Sequence, residues 1–412
     1  MKSFYLCVLV LIVIELFILR FKSVLNYRNA LLKSENAVVT LVKDPVFYGG
    51  YQILDFGSFK AGTYSKEMFR AGDILDVKSA PVCDDANICD PAYRKAISIK
   101  KVGRVWYAGI MRLFLGLKGK VNEIYLKNFP SPYAELLAGM TLGIKELPEV
   151  FNENLIKTGV IHVVVVSGFN VSLVISALFP LLLFLGRKVS LITSFLGVLA
   201  FVFLVGFEAP VIRAAVMGLI MLYGKYKGRE RGVLAILFFA AFIMLFISPL
   251  IIWDLSFILS FLATLGLIVL SPVIKRYVHF KLYGLEEDLI STLSAQIMVW
   301  PIISYCFGRV SVISPLVNML ILWVVPLVTV MGFVYVVAAV VFGFLKAGFL
   351  LFLFSFILKI PLAYFSQVVN VFSGFTFAQL TIQVTTGFLV LYYLVLATIV
   401  LWMLKKKELV LQ

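Results

Sequence analysis

From about residue 155 to residue 404 the chain is a succession of long apolar runs separated by short basic stretches, and this pattern limits the possible fold more than any other. A hydrocarbon layer about 30 Å thick is crossed by roughly 20 apolar helical residues. The runs 159–186, 189–207, 210–224, 232–248, 253–274, 288–307, 312–342, 346–370 and 382–404 meet or approach that length. With 62% hydrophobic and 14% charged residues, the 412-residue chain carries more apolar surface than a soluble domain can bury. The expected fold is an α-helical polytopic membrane protein with about ten hydrophobic spans, counting an earlier run from Phe4 to Leu19. Lys2 precedes that run, Arg20 and Lys22 follow it, and no small-x-small cleavage site comes after, so residues 1–29 read as an uncleaved N-terminal membrane helix. Span 210–224 is short. Span 312–342 is long and holds Pro315 and Pro326, so it is expected to bend or break.

The loops fix an orientation. Arg187-Lys188, the basic stretch Lys225 to Arg231, Lys275-Arg276, Lys346 and the tail 405–412 with Lys405 to Lys407 all fall on the side of Lys2 when ten spans are counted. Among the short loops between the later spans, Arg309 alone falls opposite. The positive-inside rule then places the protein in the cytoplasmic membrane as a multi-pass protein with both termini cytoplasmic. The net charge of +15 follows largely from this loop bias and does not by itself point to nucleic acid.

Residues 30–100 break the pattern. Short alternating runs such as Val38 to Val42 and Asp73 to Val77, set between turn residues, predict strands. Five or so strands in roughly 65 residues fit a small extracytoplasmic β-barrel of the OB type. Such barrels bind single strands with a basic groove and stacking aromatics. Here residues 35–99 hold seven Lys/Arg against nine Asp/Glu, and aromatics such as Phe47, Tyr51, Phe56, Tyr64 and Phe69 must also build the core. A structural or docking barrel fits as well as a DNA-gripping one. Residues 101–130 differ: 100–128 hold seven Lys/Arg and one Glu, with Trp106, Ile110, Leu113, Phe114, Leu117, Val121 and Ile124 at helical spacing. This basic amphipathic helix suits a membrane surface rich in anionic lipid, or a basic lip at a pore mouth; the two are compatible.

Of the four cysteines, Cys7 and Cys306 lie in apolar spans and read as packing residues. Cys83 and Cys89 lie in the external domain, where a local disulfide is the simpler account; a metal site needs further ligands that are not obvious nearby.

One segment of the membrane domain (131–404) carries a dense polar cluster. In Lys157 to Val174, His162, Ser167, Gly168 and Asn170 interrupt an otherwise apolar run. Polar groups in such a span are expensive unless they face a pore, a partner helix or a substrate. His162 and Ser167 lie roughly 140° apart on a regular helix, so sharing a face requires a break, which Gly159 and Gly168 permit. Arg213 suits phosphate through its forked donors, or pairs with Glu208 or Asp254. Asp254 also suits a helix cap. Gln296 and Asn318 are amides in apolar helices, suited to cross-helix bonding or to a polar lining.

Thr158-Gly159-x-x-His162-x-x-x-x-Ser167-Gly168-x-Asn170-Val171 resembles the signature of the competence DNA-uptake channel family, ComEC. So do Ala134 to Gly143, Pro210 to Met217 with Arg213, Asp254-Leu-Ser-Phe-Ile-Leu-Ser-Phe261, and Gln296, Pro301, Asn318 and Pro326, in order and spacing across roughly 130–330. The chain departs from the family where a second His is usual, here Asn170, and where a Gln is usual, here Ile258. Many members also carry a metallo-β-lactamase-like domain; this sequence has only His162 and His279, so no His-rich zinc motif is expected. The resemblance implies a channel passing single-stranded DNA into the cytoplasm, with His162, Ser167, Gly168, Asn170, Arg213, Asp254, Gln296 and Asn318 along the path. No Gly-x-x-x-x-Gly-Lys-Ser/Thr loop is present. A separate motor ATPase, DNA receptor and nuclease are therefore expected as partners beside membrane lipid, with no enzyme activity, metal or cofactor in the chain itself. Two other classes remain open: a transporter of another polyanionic or lipid-linked substrate, and a membrane-embedded hydrolase using His162 and Ser167.

Overall fold

The computed structural model describes the chain except residues 1–14, 16, 27–35, 42–44, 49–50, 57–59, 65–68, 84–88, 106–107, 165–167, 229–231, 278–284 and 411–412. Two units are present: Met1–Leu117 with Leu245–Ile251, and Lys118–Met244 with Ile252–Gln412.

The first unit holds a helix, α1 (17–26), and a six-stranded sheet. Its strands are β1 (Asn36–Thr40), β2 (Val46–Tyr48), β3 (Tyr51–Asp55), β4 (Lys60–Thr63), β5 (Asp73–Cys83) and β6 (Cys89–Arg104), in the order β1-β5-β6-β4-β3-β2. All pairings are antiparallel except β4 with β6. The alternation anticipated from sequence is realised in β5, where Leu75, Val77 and Ser79 point inward and Asp76 and Lys78 outward. Val39, Leu41, Leu54, Phe56, Ala61, Phe69, Leu75 and Val77 form the core. Three register shifts along β5 and β6 let these long strands bend. The sheet continues to Arg104, so Lys101 to Arg104, expected in the basic helix, belong to β6; the helix itself, α2, spans Ala108–Asn128.

Asp73 ties this unit together. Its carboxylate is fully buried and accepts from Lys101 Nζ at 2.6 Å, from the Arg70 N–H at 3.0 Å and from Arg112 Nη2 of α2. Burial alone pushes its pKa up, but the hydrogen bonds from Lys101 and Arg70 and the charges of Lys101 and Arg112 outweigh it and hold the carboxyl below the ordinary carboxylate value.

The second unit is helical: α3 (Tyr133–Leu142), α4 (Glu149–Lys157), α5 (Ile161–Val164), α6 (Gly168–Leu181), α7 (Arg187–Val205), α8 (Ala209–Tyr226), α9 (Val233–Ile247), α10 (Leu255–Tyr277), α11 (Leu285–Phe307), α12 (Ser314–Ile321), α13 (Val324–Phe344), α14 (Gly348–Ser373) and α15 (Thr386–Val410). A small antiparallel pair, β7 (Arg309–Ser311) and β8 (Gln379–Thr381), joins the chain after α11 to the chain before α15. Among the described residues, six segments are long and apolar enough to cross a membrane: Ile161–Leu181, which takes in α5 and α6, Arg187–Val205, Leu255–Arg276, Glu286–Phe307, Val324–Phe344 and Gly348–Ser373. The chain is a multi-pass membrane protein. Val233–Ile247 and Thr386–Val400 are apolar but shorter.

The long run 312–342 is broken, as its prolines suggest: β7 and α12 precede α13, and Pro315 occupies the first turn of α12, where its missing N–H costs nothing. The core centres on α3, whose residues from Leu136 to Leu142 are all buried. This helix is rich in Ala, Gly and Leu and short enough to be wrapped by α4, α5, α12, α13 and α14. It stops at Gly143, left-handed at φ 69°, with the Ile144 N–H returning to Ala138 O at 3.3 Å.

Candidate functional site

Gly159 stands between α4 and α5 with φ +71°, and a Cβ there would lie 2.7 Å from Ser311 Cβ and 2.8 Å from Ser314 Cβ. Only glycine fits, both in conformation and in space. Its carbonyl accepts from Ser314 Oγ at 3.4 Å and lies beside the His162 imidazole. Ser314 Oγ in turn accepts from Gln296 Nε2 at 2.5 Å and from Asn318 Nδ2, one turn along α12, at 3.1 Å. A serine hydroxyl has one proton and two lone pairs, so Ser314 is saturated. The outer oxygens, Gln296 Oε1 and Asn318 Oδ1, are buried without a protein partner among the described residues and remain available as acceptors. The His162 side chain is exposed. The cluster therefore joins α11, α12 and the α4–α5 junction and carries neutral donors and acceptors rather than charge.

A second cluster forms around Arg213 on α8. Its Nη1 donates to Ser260 O at 2.6 Å, and Gly168 makes room for the guanidinium, since a Cβ there would lie 2.8 Å from Nη2. Neither acidic partner weighed from sequence is taken up. Glu208 pairs with Lys145 at 2.7 Å, and Asp254 caps α10, accepting from the Ser256 N–H at 2.7 Å. Among the described residues no carboxylate pairs with Arg213, and its Nε has no acceptor. Asn170 binds across to α3, donating from Nδ2 to Met140 O at 2.9 Å, with Oδ1 unpartnered among the described residues.

Of the sequence-derived candidates, His162, Gln296 and Asn318 thus converge on one point, Gly168 and Arg213 meet at another, Asn170 binds α3, and Asp254 serves a helix end. Ser167 lies outside the described residues. Ser314, the centre of the first cluster, was not singled out from sequence; the available signal was a serine placed directly before Pro315. Strand register sets Cys83 opposite Cys89 at the end of the β5–β6 pair, while their side chains, like Cys7, lie outside the described residues. Cys306 is exposed and free. Among the described residues no group of three or more His, Cys, Asp or Glu is placed to hold a metal.

Fold and site together define a multi-pass membrane protein that gathers neutral polar groups and, at Arg213, a guanidinium without a carboxylate partner among the described residues. Residues 140–407, more than half of the chain, match the competence protein family, and the chain belongs to that family. It is 32% identical over 167 residues to ComE operon protein 3 of Bacillus subtilis (strain 168), covering 40% of this chain and 21% of that one. It is 38% identical over 127 residues to an uncharacterized protein of Aquifex aeolicus (strain VF5), covering 30% of each. The chain spans less than a third of the length of these curated relatives. No solved structure matches it.

Proposed function

We propose that this protein takes part in DNA uptake for competence by conducting single-stranded DNA across the cytoplasmic membrane. The observation that carries the proposal is the pair of polar clusters within the family-matched region. Each nucleotide brings a phosphate charge whose unaided passage through hydrocarbon is prohibitive, so the path must be wet and must offer cations. The acceptors left open on Asn170, Gln296 and Asn318 among the described residues suit water, and the guanidinium of Arg213, which has no carboxylate partner among them, suits phosphate. His162, Gly168 and Ser167 belong to the same path in this proposal, with Asp254 fixing the helix that presents Ser260.

The proposal includes ten membrane crossings, both termini cytoplasmic, and the sheet unit outside, closed as an OB-like barrel. A motor, a DNA receptor and a nuclease act as separate partners. The test is delivery of labelled DNA to the cytoplasm in the source organism with the gene intact, deleted, or carrying His162→Ala or Arg213→Ala. DNA held at the surface in the deletion and in both variants, at normal protein levels, supports the channel. Unchanged uptake in the deletion rejects DNA as the substrate and turns attention to other polyanions. Unchanged uptake in the two variants alone removes their side chains from the path.

A further inference from the structure

Helix α14 is one of the six membrane-length segments, and it carries a lysine at its centre. At 1.5 Å per residue, Lys359 lies about 16 Å from the start of α14 and about 21 Å from its end. Its four-carbon stem cannot carry the ammonium to either end. Ser355, Leu362 and Ser366, four residues before and three and seven after, are all buried, so Lys359 stands on the inward ridge of the helix; Phe356 and Ile360 are exposed on the other side.

The inward surroundings do not neutralise this charge. Nζ lies 6.0 Å from the centroid of Phe129, which packs edge-on against Tyr335 at 4.9 Å. A cation–π contact offsets only part of the desolvation of an ammonium. Among the described residues no carboxylate is within ion-pair range of Lys359. Two buried hydroxyls of this region, Tyr335 OH and Ser366 Oγ, also lack protein partners among the described residues. An ionisable side chain is retained at such depth when it faces a water-filled cavity or a counter-ion.

The geometry points to Lys359 as an anion-binding position on a water-filled path inside the helical unit, its ligand class being the phosphodiester anion; the identity of that ligand rests on the DNA-conducting proposal above. Sequence inspection passes over this residue because α14 remains strongly apolar around it.

The test has two arms. In the first, the full chain carrying Lys359→Cys is reconstituted into phosphatidylethanolamine–phosphatidylglycerol vesicles and treated with the impermeant cationic reagent trimethylammonium-ethyl methanethiosulfonate. Modification is read at that peptide by mass spectrometry, with lipid-facing Phe356→Cys as the comparison. Extensive modification at 359 with little at 356 is expected; equal, low modification overturns the water-filled path, whatever the substrate. In the second arm, DNA uptake is measured at matched protein level. Lys359→Met is expected to lower it at least tenfold, with substantial rescue by Lys359→Arg. Normal uptake by Lys359→Met, or equal loss in both variants, overturns the role of the charge. If deletion of the gene leaves uptake intact, the DNA proposal fails by itself, and the vesicle arm still decides whether water reaches Lys359.

Discussion

At the scale of single residues, the Ser314 node makes the sharpest demand on the sequence. Ser314→Ala removes the acceptor of both the Gln296 and Asn318 amides and the donor to Gly159 O. Each buried group left unpaired costs about 1–3 kcal/mol. The expected outcome is a drop in thermal midpoint of the detergent-purified protein and a loss of DNA uptake. Gly159→Ala should be at least as damaging, because it combines a left-handed φ with a backbone-fixed Cβ driven into Ser311 and Ser314. A thermal midpoint unchanged in Gly159→Ala would contradict the close approach of these segments. His162, Gln296 and Asn318 were legible beforehand because a polar side chain in an apolar run is conspicuous in one dimension. Ser314 was not, because serines are common in membrane helices, and what distinguishes this one is a contact with a residue 155 positions away.

Among elements, the sheet was readable from its period-two runs, and its end was not. The basic residues from Lys100 to Arg112 run through both β6 and the start of α2, so charge alone does not mark where strand gives way to helix. The structure explains part of that charge: Lys101 and Arg112 reach Asp73 from two different elements. Because folding depresses the Asp73 pKa, its contribution to stability is complete above the ordinary value of 3.8 and is lost as the pH falls through the lower native value. Asp73→Ala should therefore destabilise the sheet unit by about 3 kcal/mol at neutral pH, the scale for removing one partner of a buried ion pair. The difference from wild type should shrink only in acid. Hydrogen-exchange protection of β5 and β6, corrected for intrinsic rates, measures both; a difference constant from pH 7 to pH 3 would show that charge is not what matters. The end of the same strand pair carries a second expectation. Directly opposed antiparallel residues have Cα atoms about 4.5–5.5 Å apart, within the range a disulfide bridges. Cys83→Ser and Cys89→Ser should lower stability by matching amounts of about 2 kcal/mol that do not add in the double variant. Independent effects would mean two separate thiols.

For the whole molecule, the apolar runs announced a membrane protein at once, but the number of crossings is harder to read than their existence. Among the described residues, six segments meet the length and apolarity of a full span. Four others fall short for separate physical reasons. Helix α8 carries Arg213 and Lys225; α9 has 15 residues; α15 has its apolar part in Thr386–Val400; and the run from Phe4 to Leu19 lies mostly outside the described residues. None of these reasons forbids crossing, since a short helix is matched by local thinning and a buried Arg is tolerated against a polar wall. Counting all ten puts Lys188, Lys227, Lys275 and Lys346 on one side, as the positive-inside rule favours. Removing α8 alone would put Lys227 on the opposite side from Lys188. This gives an expected labelling pattern in intact cells treated with an impermeant maleimide. Tyr64→Cys, at a position 74% exposed on the sheet unit, should label from outside, whereas Lys188→Cys and Lys227→Cys should label only after permeabilisation. Labelling of Lys227→Cys from outside with Lys188→Cys protected would remove α8 as a crossing. Arg213 would then sit on a re-entrant helix reached from one face, and a continuous path past it would have to be abandoned. Labelling of both loop positions from outside, with Tyr64→Cys protected, would invert the protein and leave the sheet unit facing the cytoplasm, where it could not meet incoming DNA first.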